Sequence, residues 1–311
     1  MYIILKRIRK VMNLVKKVSQ NILGNNPKMR IVQFRYGDDK TRIGVLKNDR
    51  VVDVNATDPT VPYSLVEFLQ TRNPLDALKR IAGSSSIEHN LSDVKLLSPI
   101  TKPDKILGVA SNYKCDCTKR NIQFPKEPTV FTKFPSVITG PYDEIPKSPS
   151  TNAMDWEIEL VAVIGKTAKH VKAADAMDFV FGYTVTQDLT AKDWVMRNGG
   201  QLVMCKGFDG FCPLGPWIVT KEELGDPYDV RLRTWINGEL KQDGHSSSML
   251  QRIDKMIEYL SSVMTLLPGD LILTGTPYGV GASQIPPQYL KSGDVMESEI
   301  DKIGKMSNKI V

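Results

Sequence analysis

From residue 29 onward, apolar and polar positions alternate in short runs separated by turn residues. Residues 29–36 read as a strand, Gly37-Asp38-Asp39 as a turn, and 41–46 as a second strand. Asn48-Asp49 then turns into 50–54, which completes a small antiparallel meander. Ser64 can cap a short helix over 65–69, Pro74 precedes another around 76–81, and Gly83 to Ser86 reads as a loop. These elements predict a small α+β domain over 29–100, with Pro99-Ile-Thr-Lys-Pro103 as the linker to a second domain over 101–311. Beyond the linker come short β runs at 105–110, 129–133, 157–164, 181–187, 217–219, 230–236, 271–274, 295–300 and 305–311. Helices are few, the best being 173–179 and 253–264, and Asn237-Gly238 marks a hairpin turn. So many short strands predict a mostly β, α+β chain built as a sandwich or roll, not a doubly wound sheet.

Charge changes the picture at the start of the chain. The formal net charge is +6 over 311 residues. Residues 1–30 hold eight of the 41 basic residues and no acid, so the rest carries 33 bases against 35 acids, a net of −2. A nearly neutral body gives no electrostatic case for nucleic acid. The first 24 residues can place Ile3, Ile4, Ile8, Val11, Met12 and Val15 on one helical face with Lys and Arg opposite. That composition suits a mitochondrial targeting segment over 1–28, delivering the protein to the matrix, with the cytoplasm as the alternative. No apolar run approaches the roughly 18 residues that span a bilayer. Four cysteines are too few for a disulfide framework and fit a reducing compartment.

The most informative stretch is Asp155-Trp-Glu157-Ile-Glu159-Leu-Val-Ala-Val-Ile164. Strand side chains alternate faces, so Glu157 and Glu159 share one face while Trp156, Ile158 and Leu160 take the other. Two carboxylates entering an apolar run repel each other, and a hard divalent cation with oxygen ligands relieves that. A third acid, Asp188, ends the run 181–187. The alternative for Glu-x-Glu is a solvated face paired with lysine.

Other chemistry is weaker. His89, His170 and His245 are scattered without zinc spacing, and His170 fits a surface turn. Cys115-x-Cys117 is a poor soft-metal signal, and Cys205 and Cys212 fit packing positions. Lys206 follows an apolar run, so it either points inward at an anion or sits at a strand edge. The loop from Leu273 to Gly281 lacks P-loop or GxGxxG spacing. Its backbone N–H groups, Gly275 included, and its threonines either cradle a carboxylate or form a plain turn.

Taken in order, these stretches resemble the fumarylacetoacetate hydrolase family over about residues 100–311. The motifs are Asn112-Tyr113, Lys126-Glu-Pro-Thr-Val-Phe131-Thr-Lys133, Gly140-Pro-Tyr-Asp-Glu144, Asp155-Trp-Glu-Ile-Glu159 and Gly182-Tyr-Thr-Val-Thr-Gln-Asp188. They continue with Gly207-Phe-Asp209, Pro213-Leu-Gly-Pro216, Asn237-Gly238, Pro268-Gly-Asp270 and Thr274-Gly-Thr-Pro277. The stretch from Lys126 to Glu144, with Asp193-Trp-Val-Met-Arg-Asn198, looks most like the mitochondrial domain-containing-protein-2 branch. The resemblance implies a β-roll catalytic domain behind a small N-terminal domain, a homodimer, and Mg²⁺ or Mn²⁺ on Glu157, Glu159 and Asp188. It puts the family lysine at Lys206 and the substrate-carboxylate threonine at Thr276. It also implies a small dicarboxylate or acylpyruvate substrate, with Lys192 and Gly275 as further substrate contacts.

This chain departs from the family at the lid. Family lids read Asn-Tyr-x-x-His-x-x-Glu, with His and Glu as the acid/base dyad. Here Asp116 stands at the His position and Lys119 at the Glu position. Aspartate is a far weaker base than histidine at neutral pH, and Asp116 and Lys119 at i, i+3 can simply pair. The family Ser-Ala-Arg-Asp is Thr190-Ala-Lys192-Asp193, a point charge in place of a bidentate donor. The favoured reading is an oxaloacetate keto–enol tautomerase, because moving one proton is the least demanding chemistry in the family. An acylpyruvate C–C hydrolase or oxaloacetate decarboxylase, and a weakened metal-binding relative, are the alternatives.

Overall fold

The computed structural model describes residues 29–197 and 199–311; the expected targeting segment, 1–28, lies outside the described residues. Among the described residues the largest sheet has twelve strands. It runs in the order Glu88–Asn90, Arg50–Asp53, Arg42–Lys47, Arg30–Arg35, Cys212–Thr220, Val180–Gln187, Ile158–Ile164, Leu271–Leu273, Ile106–Ala110, Thr129–Lys133. Lys95–Leu97 and Ile138–Thr139 pair at its side. A second sheet of four strands orders Glu239–His245, Arg231–Ile236, Val295–Ile300 and Gly304–Lys309. Most pairs are antiparallel; Ile106–Ala110 runs parallel to Leu271–Leu273. The chain is α+β and mostly β.

The Ile158–Ile164 strand explains how the site is aimed. Every residue of IELVAVI is buried, as expected for a strand covered on both faces. Ile158, Leu160, Ala162 and Ile164 pack into one core, and Val161 and Val163 into another. Glu159 shares the parity of Val161 and Val163. Trp156 is buried in apolar packing too, but in a third core, because regular pairing begins at Ile158; its indole N–H donates to the Gly279 carbonyl at 3.0 Å.

The helix Ile253–Val263 closes the first core by burying Ile253, Met256, Ile257 and Leu260, the i, i+3, i+4, i+7 face of its sequence. Ser64 caps Leu65–Leu69 as expected, and the next helix runs Pro74–Ser84, so it takes in Gly83 and Ser84, which were expected in a loop. The N-terminal meander continues the large sheet: Arg30 pairs with Val219 and Ile31 with Ile218. Ile31, Ile43, Val52 and Leu65 share the core of Val161, Val163, Phe181 and Ile218. Among the described residues, no helix is long and apolar enough to cross a membrane.

Candidate metal centre

The side chains of Glu157, Glu159 and Asp188 converge. Each offers a carboxylate oxygen, and these oxygens lie within 4.8 Å of one another. Glu159 lies in one strand, Glu157 just before it and Asp188 just after its neighbour; the pairing of Ile158 with Gln187 at that end brings Asp188 opposite Glu157. The Asp188 N–H donates to the Glu157 carbonyl at 2.8 Å. A cavity of about 440 Å³ opens above, lined among others by Asp116, Arg120, Phe131, Glu157, Glu159, Lys192, Lys206, Gly275 and Thr276. A larger hollow of about 550 Å³ beside Gln70, Arg72 and Lys221 has no such carboxylate group among the described residues.

Three lysines enter the cluster. Lys206 ends the helix Leu202–Lys206 and is buried, resolving its two sequence readings in favour of the inward one. Its Nζ reaches Glu157 Oε2 at 3.1 Å, Asp188 Oδ2 at shorter range, and Thr190 Oγ1 at 2.9 Å. Lys192 Nζ contacts Glu157 Oε1 closely and Asp155 Oδ2 at 3.7 Å. Lys133 Nζ donates to Asp188 Oδ1 at 2.7 Å and to the Leu189 carbonyl at 3.2 Å. Sequence reasoning missed Lys133 as a member. Its signal was the alternation that puts Lys133 on the inner face with Phe131. It also missed a role for Asp155, whose carboxylate accepts from the N–H groups of Gly281 at 2.5 Å and Ala282 at 2.9 Å.

All three lysines are thus paired with carboxylates of the cluster. Four carboxylates against three ammonium groups leave a formal charge of −1. Burial works against the Glu157 charge, but Lys192 and Lys206 outweigh it and hold that carboxyl below its ordinary range. Glu159 has no such lysine partner within ion-pair distance among the described residues. Burial, then the charge of Asp188, push its carboxyl well above the ordinary range. Burial pushes Asp155 up to about 6. A buried, charge-frustrated set of hard oxygen donors at this spacing fits a hard divalent cation.

The loop after Leu271–Leu273 supplies part of the frame. Gly275 adopts φ +89°, and a Cβ there would lie 2.8 Å from the Val109 carbonyl oxygen. Its N–H, expected to serve a substrate, donates to Glu159 Oε2 at 2.6 Å. Thr276 lines the cavity and its hydroxyl accepts from Gln242 Nε2 at 2.8 Å.

The lid helix Lys114–Lys119 places Asp116 in the cavity wall, 3% exposed. The expected Asp116–Lys119 pairing is corrected. Asp116 Oδ2 accepts from Arg120 at 3.1 Å, because i+4 rather than i+3 follows its inward face. Asp116 Oδ1 is buried with no hydrogen-bond partner among the described residues. Burial raises its carboxyl, with Arg120 opposing. Lys119 is not among the described residues lining the cavity, and its ammonium lies 6.0 Å from the Tyr278 ring centre. His170, with φ 53°, is an exposed turn residue, and Cys205 and Cys212 are buried, as expected.

Residues 105–311 match the family described as fumarylacetoacetate (FAA) hydrolase C-terminal. The chain belongs to the fumarylacetoacetate hydrolase family. Among relatives of this fumarylacetoacetate hydrolase family chain, the mitochondrial oxaloacetate tautomerase FAHD2B of Bos taurus is 45% identical over 263 residues, 84% of each chain. Its counterpart FAHD2A of Homo sapiens is 42% identical over 288 residues, covering 91% of this chain and 92% of the other. Among solved structures, maleylpyruvate hydrolase from Sphingobium sp. SYK-6, in complex with manganese (II) ion and pyruvate, matches with TM-score 0.75 and 30% identity. That match covers 91% of this chain and 99% of that one. Fumarylacetoacetate hydrolase from Exiguobacterium antarcticum matches with TM-score 0.78 and 35% identity over the same shares. The manganese (II) ion of that maleylpyruvate hydrolase agrees with a divalent-cation reading of the acidic centre.

Proposed function

We propose that this chain is a Mg²⁺- or Mn²⁺-dependent oxaloacetate tautomerase. The observation that carries the proposal is the convergence of Glu157, Glu159 and Asp188 within 4.8 Å beside a cavity lined by Asp116, Lys192, Lys206 and Thr276. The tautomerase relatives supply the substrate. A divalent cation on the three carboxylates supplies positive charge that stabilises an enolate oxygen. Lys206 and Lys133 fix the aim of Asp188, and Lys206 and Lys192 keep Glu157 ionised. Thr276 donates to a substrate carboxylate, assisted by the positive charge of Lys192. Asp116 Oδ1 takes the proton from the carbon beside the ketone, and the proton is returned on oxygen. Burial supports this role by shifting Asp116 toward neutral pH.

Hydrolysis of acylpyruvates is the second reading, favoured by the pyruvate-bearing hydrolase neighbour. It needs an activated water, which a lid without the His/Glu dyad supports less well. The test is the full chain with Mg²⁺ and oxaloacetate, following enol absorbance. Acceleration over the uncatalysed rate, abolished by chelator, is expected. No acceleration refutes the tautomerase, and acylpyruvate cleavage without it selects the hydrolase.

We further propose a mitochondrial matrix location, supported by the acid-free basic segment 1–28 and the relatives' mitochondrial names. A division into 29–100 and 101–311 follows the linker prolines. A homodimer is supported by exposed Phe124, Met196 and Met204, and sedimentation tests it.

A further inference from the structure

Gln242 is fully buried and spends all its hydrogen-bonding capacity. Its Oε1 accepts from the Ile158 N–H at 3.1 Å and from the Thr234 hydroxyl at 3.1 Å. Its Nε2 donates to Thr276 Oγ1 at 2.8 Å and to the Pro277 carbonyl at 2.9 Å. The two ends of the amide cannot be exchanged. The Ile158 N–H only donates, and the Pro277 carbonyl only accepts. The Thr234 oxygen in turn accepts from Gln187 Nε2 at 2.9 Å, and Gln187 Oε1 accepts from the Glu157 N–H at 2.7 Å. Two amides joined by one hydroxyl therefore hold consecutive N–H groups of the chain that carries Glu157 and Glu159.

The consequence falls on Thr276. Its oxygen already accepts from Gln242, so its own proton must point elsewhere. Thr276 lines the cavity, and the open direction for that proton is toward a ligand. We propose that Gln242 is a positioning residue that sets the polarity of the Thr276 hydroxyl, making it a donor to a substrate carboxylate. This rests on the reading that Thr276 takes that carboxylate. Glutamate at this position has nearly the same shape but opposite polarity. Its second oxygen draws the Thr276 proton toward itself and turns the threonine lone pairs toward the ligand.

The test is a double-mutant cycle in the full chain at saturating Mg²⁺, with pyruvate as the probe and its dissociation constant measured by calorimetry. The variants are Q242E, T276V and both together, each checked for its melting temperature. Q242E and T276V are each expected to weaken pyruvate by about 10- to 100-fold, the loss of a hydrogen bond to a charged group. The double variant is expected to bind no more weakly than T276V alone, within about twofold. Losses that add in full mean Gln242 acts through the strand, and overturn the inference. A T276V loss with normal Q242E binding also overturns it, while leaving the role of Thr276 intact. Unchanged binding in T276V instead removes the reading beneath it, and the inference falls too. If Q242E does not fold, Q242M answers the same question. It cannot orient the hydroxyl, so it must weaken pyruvate in the wild-type background and have no effect in T276V.

Discussion

Lys133 is the residue whose removal tests the charge balance of the centre most sharply. It is fully buried as a side chain, and its ammonium lies 2.7 Å from Asp188 Oδ1. Substituting Lys133→Met keeps the apolar stem and deletes one charge. Breaking a buried pair from one side costs about 3–5 kcal/mol, because the remaining carboxylate stays buried. In a chain of this size about 1 kcal/mol moves Tm by about 2–4 °C, so the metal-free variant is expected to melt about 6–20 °C lower. The cluster's formal charge passes from −1 to −2. A divalent cation then binds at least about tenfold tighter, since a unit charge at 4 Å is worth about 4 kcal/mol at an effective dielectric of 20. Mg²⁺ therefore restores more stability to the variant than it adds to the wild type. The assay is thermal melting at pH 8 in chelator and across a Mg²⁺ titration. A metal-free variant melting within about 2 °C of wild type, or a smaller Mg²⁺ increment than wild type, refutes the reasoning.

Three further outcomes follow from the same geometry. Asp116→Asn is expected to cut the tautomerase rate by about 10²–10⁴-fold. Because a base works deprotonated, the wild-type rate falls as pH drops through a value raised above the 3.8 of a free aspartate, and this limb disappears in the variant. Gly275→Ala forces a side chain into left-handed backbone at 2.8 Å from the Val109 carbonyl and displaces the N–H that holds Glu159; calorimetry is expected to show metal affinity lowered by about tenfold. Deleting 29–100 bares Val161, Val163, Phe181, Leu214, Ile218, Leu271 and Leu273. At about 1.5–3 kcal/mol each, about 10–20 kcal/mol in all, this is as large as a typical total stability of about 5–15 kcal/mol, so 101–311 alone is expected to be insoluble; a soluble, cooperatively melting fragment contradicts it.

Local signals carried much of this architecture. Thr129–Lys133 and Val295–Ile300 have the bounds that alternation predicts, and Leu65–Leu69 the bounds its cap predicts. The shared face of Glu157 and Glu159 was legible because strand parity is a local property. The strand Cys212–Thr220 was read only as 217–219, because Pro213, Gly215 and Pro216 look like breakers. Its pairing with Val180–Gln187 is irregular between Tyr183 and Val185, which accommodates them. Non-local partners left no local trace. Lys133 meets Asp188 across 55 positions, and Gln242 meets Ile158 across 84. The pairing of Ile31 with Ile218 was equally hidden. The lid was misread in its partner because i+3 and i+4 are both permitted on a helix, and only the burial of Asp116 decides between them.

The central claim is that Glu157, Glu159 and Asp188 hold a divalent cation. Glu159→Gln tests it most directly, since burial already disfavours the charge of Glu159 and every lysine pair survives the change. A Mn²⁺ titration followed by electron paramagnetic resonance is expected to show one site per wild-type chain. In the fully folded Glu159→Gln variant that site is expected to weaken at least about 100-fold, through loss of a charged ligand. Mn²⁺ binding that survives unchanged in the folded variant would contradict the account.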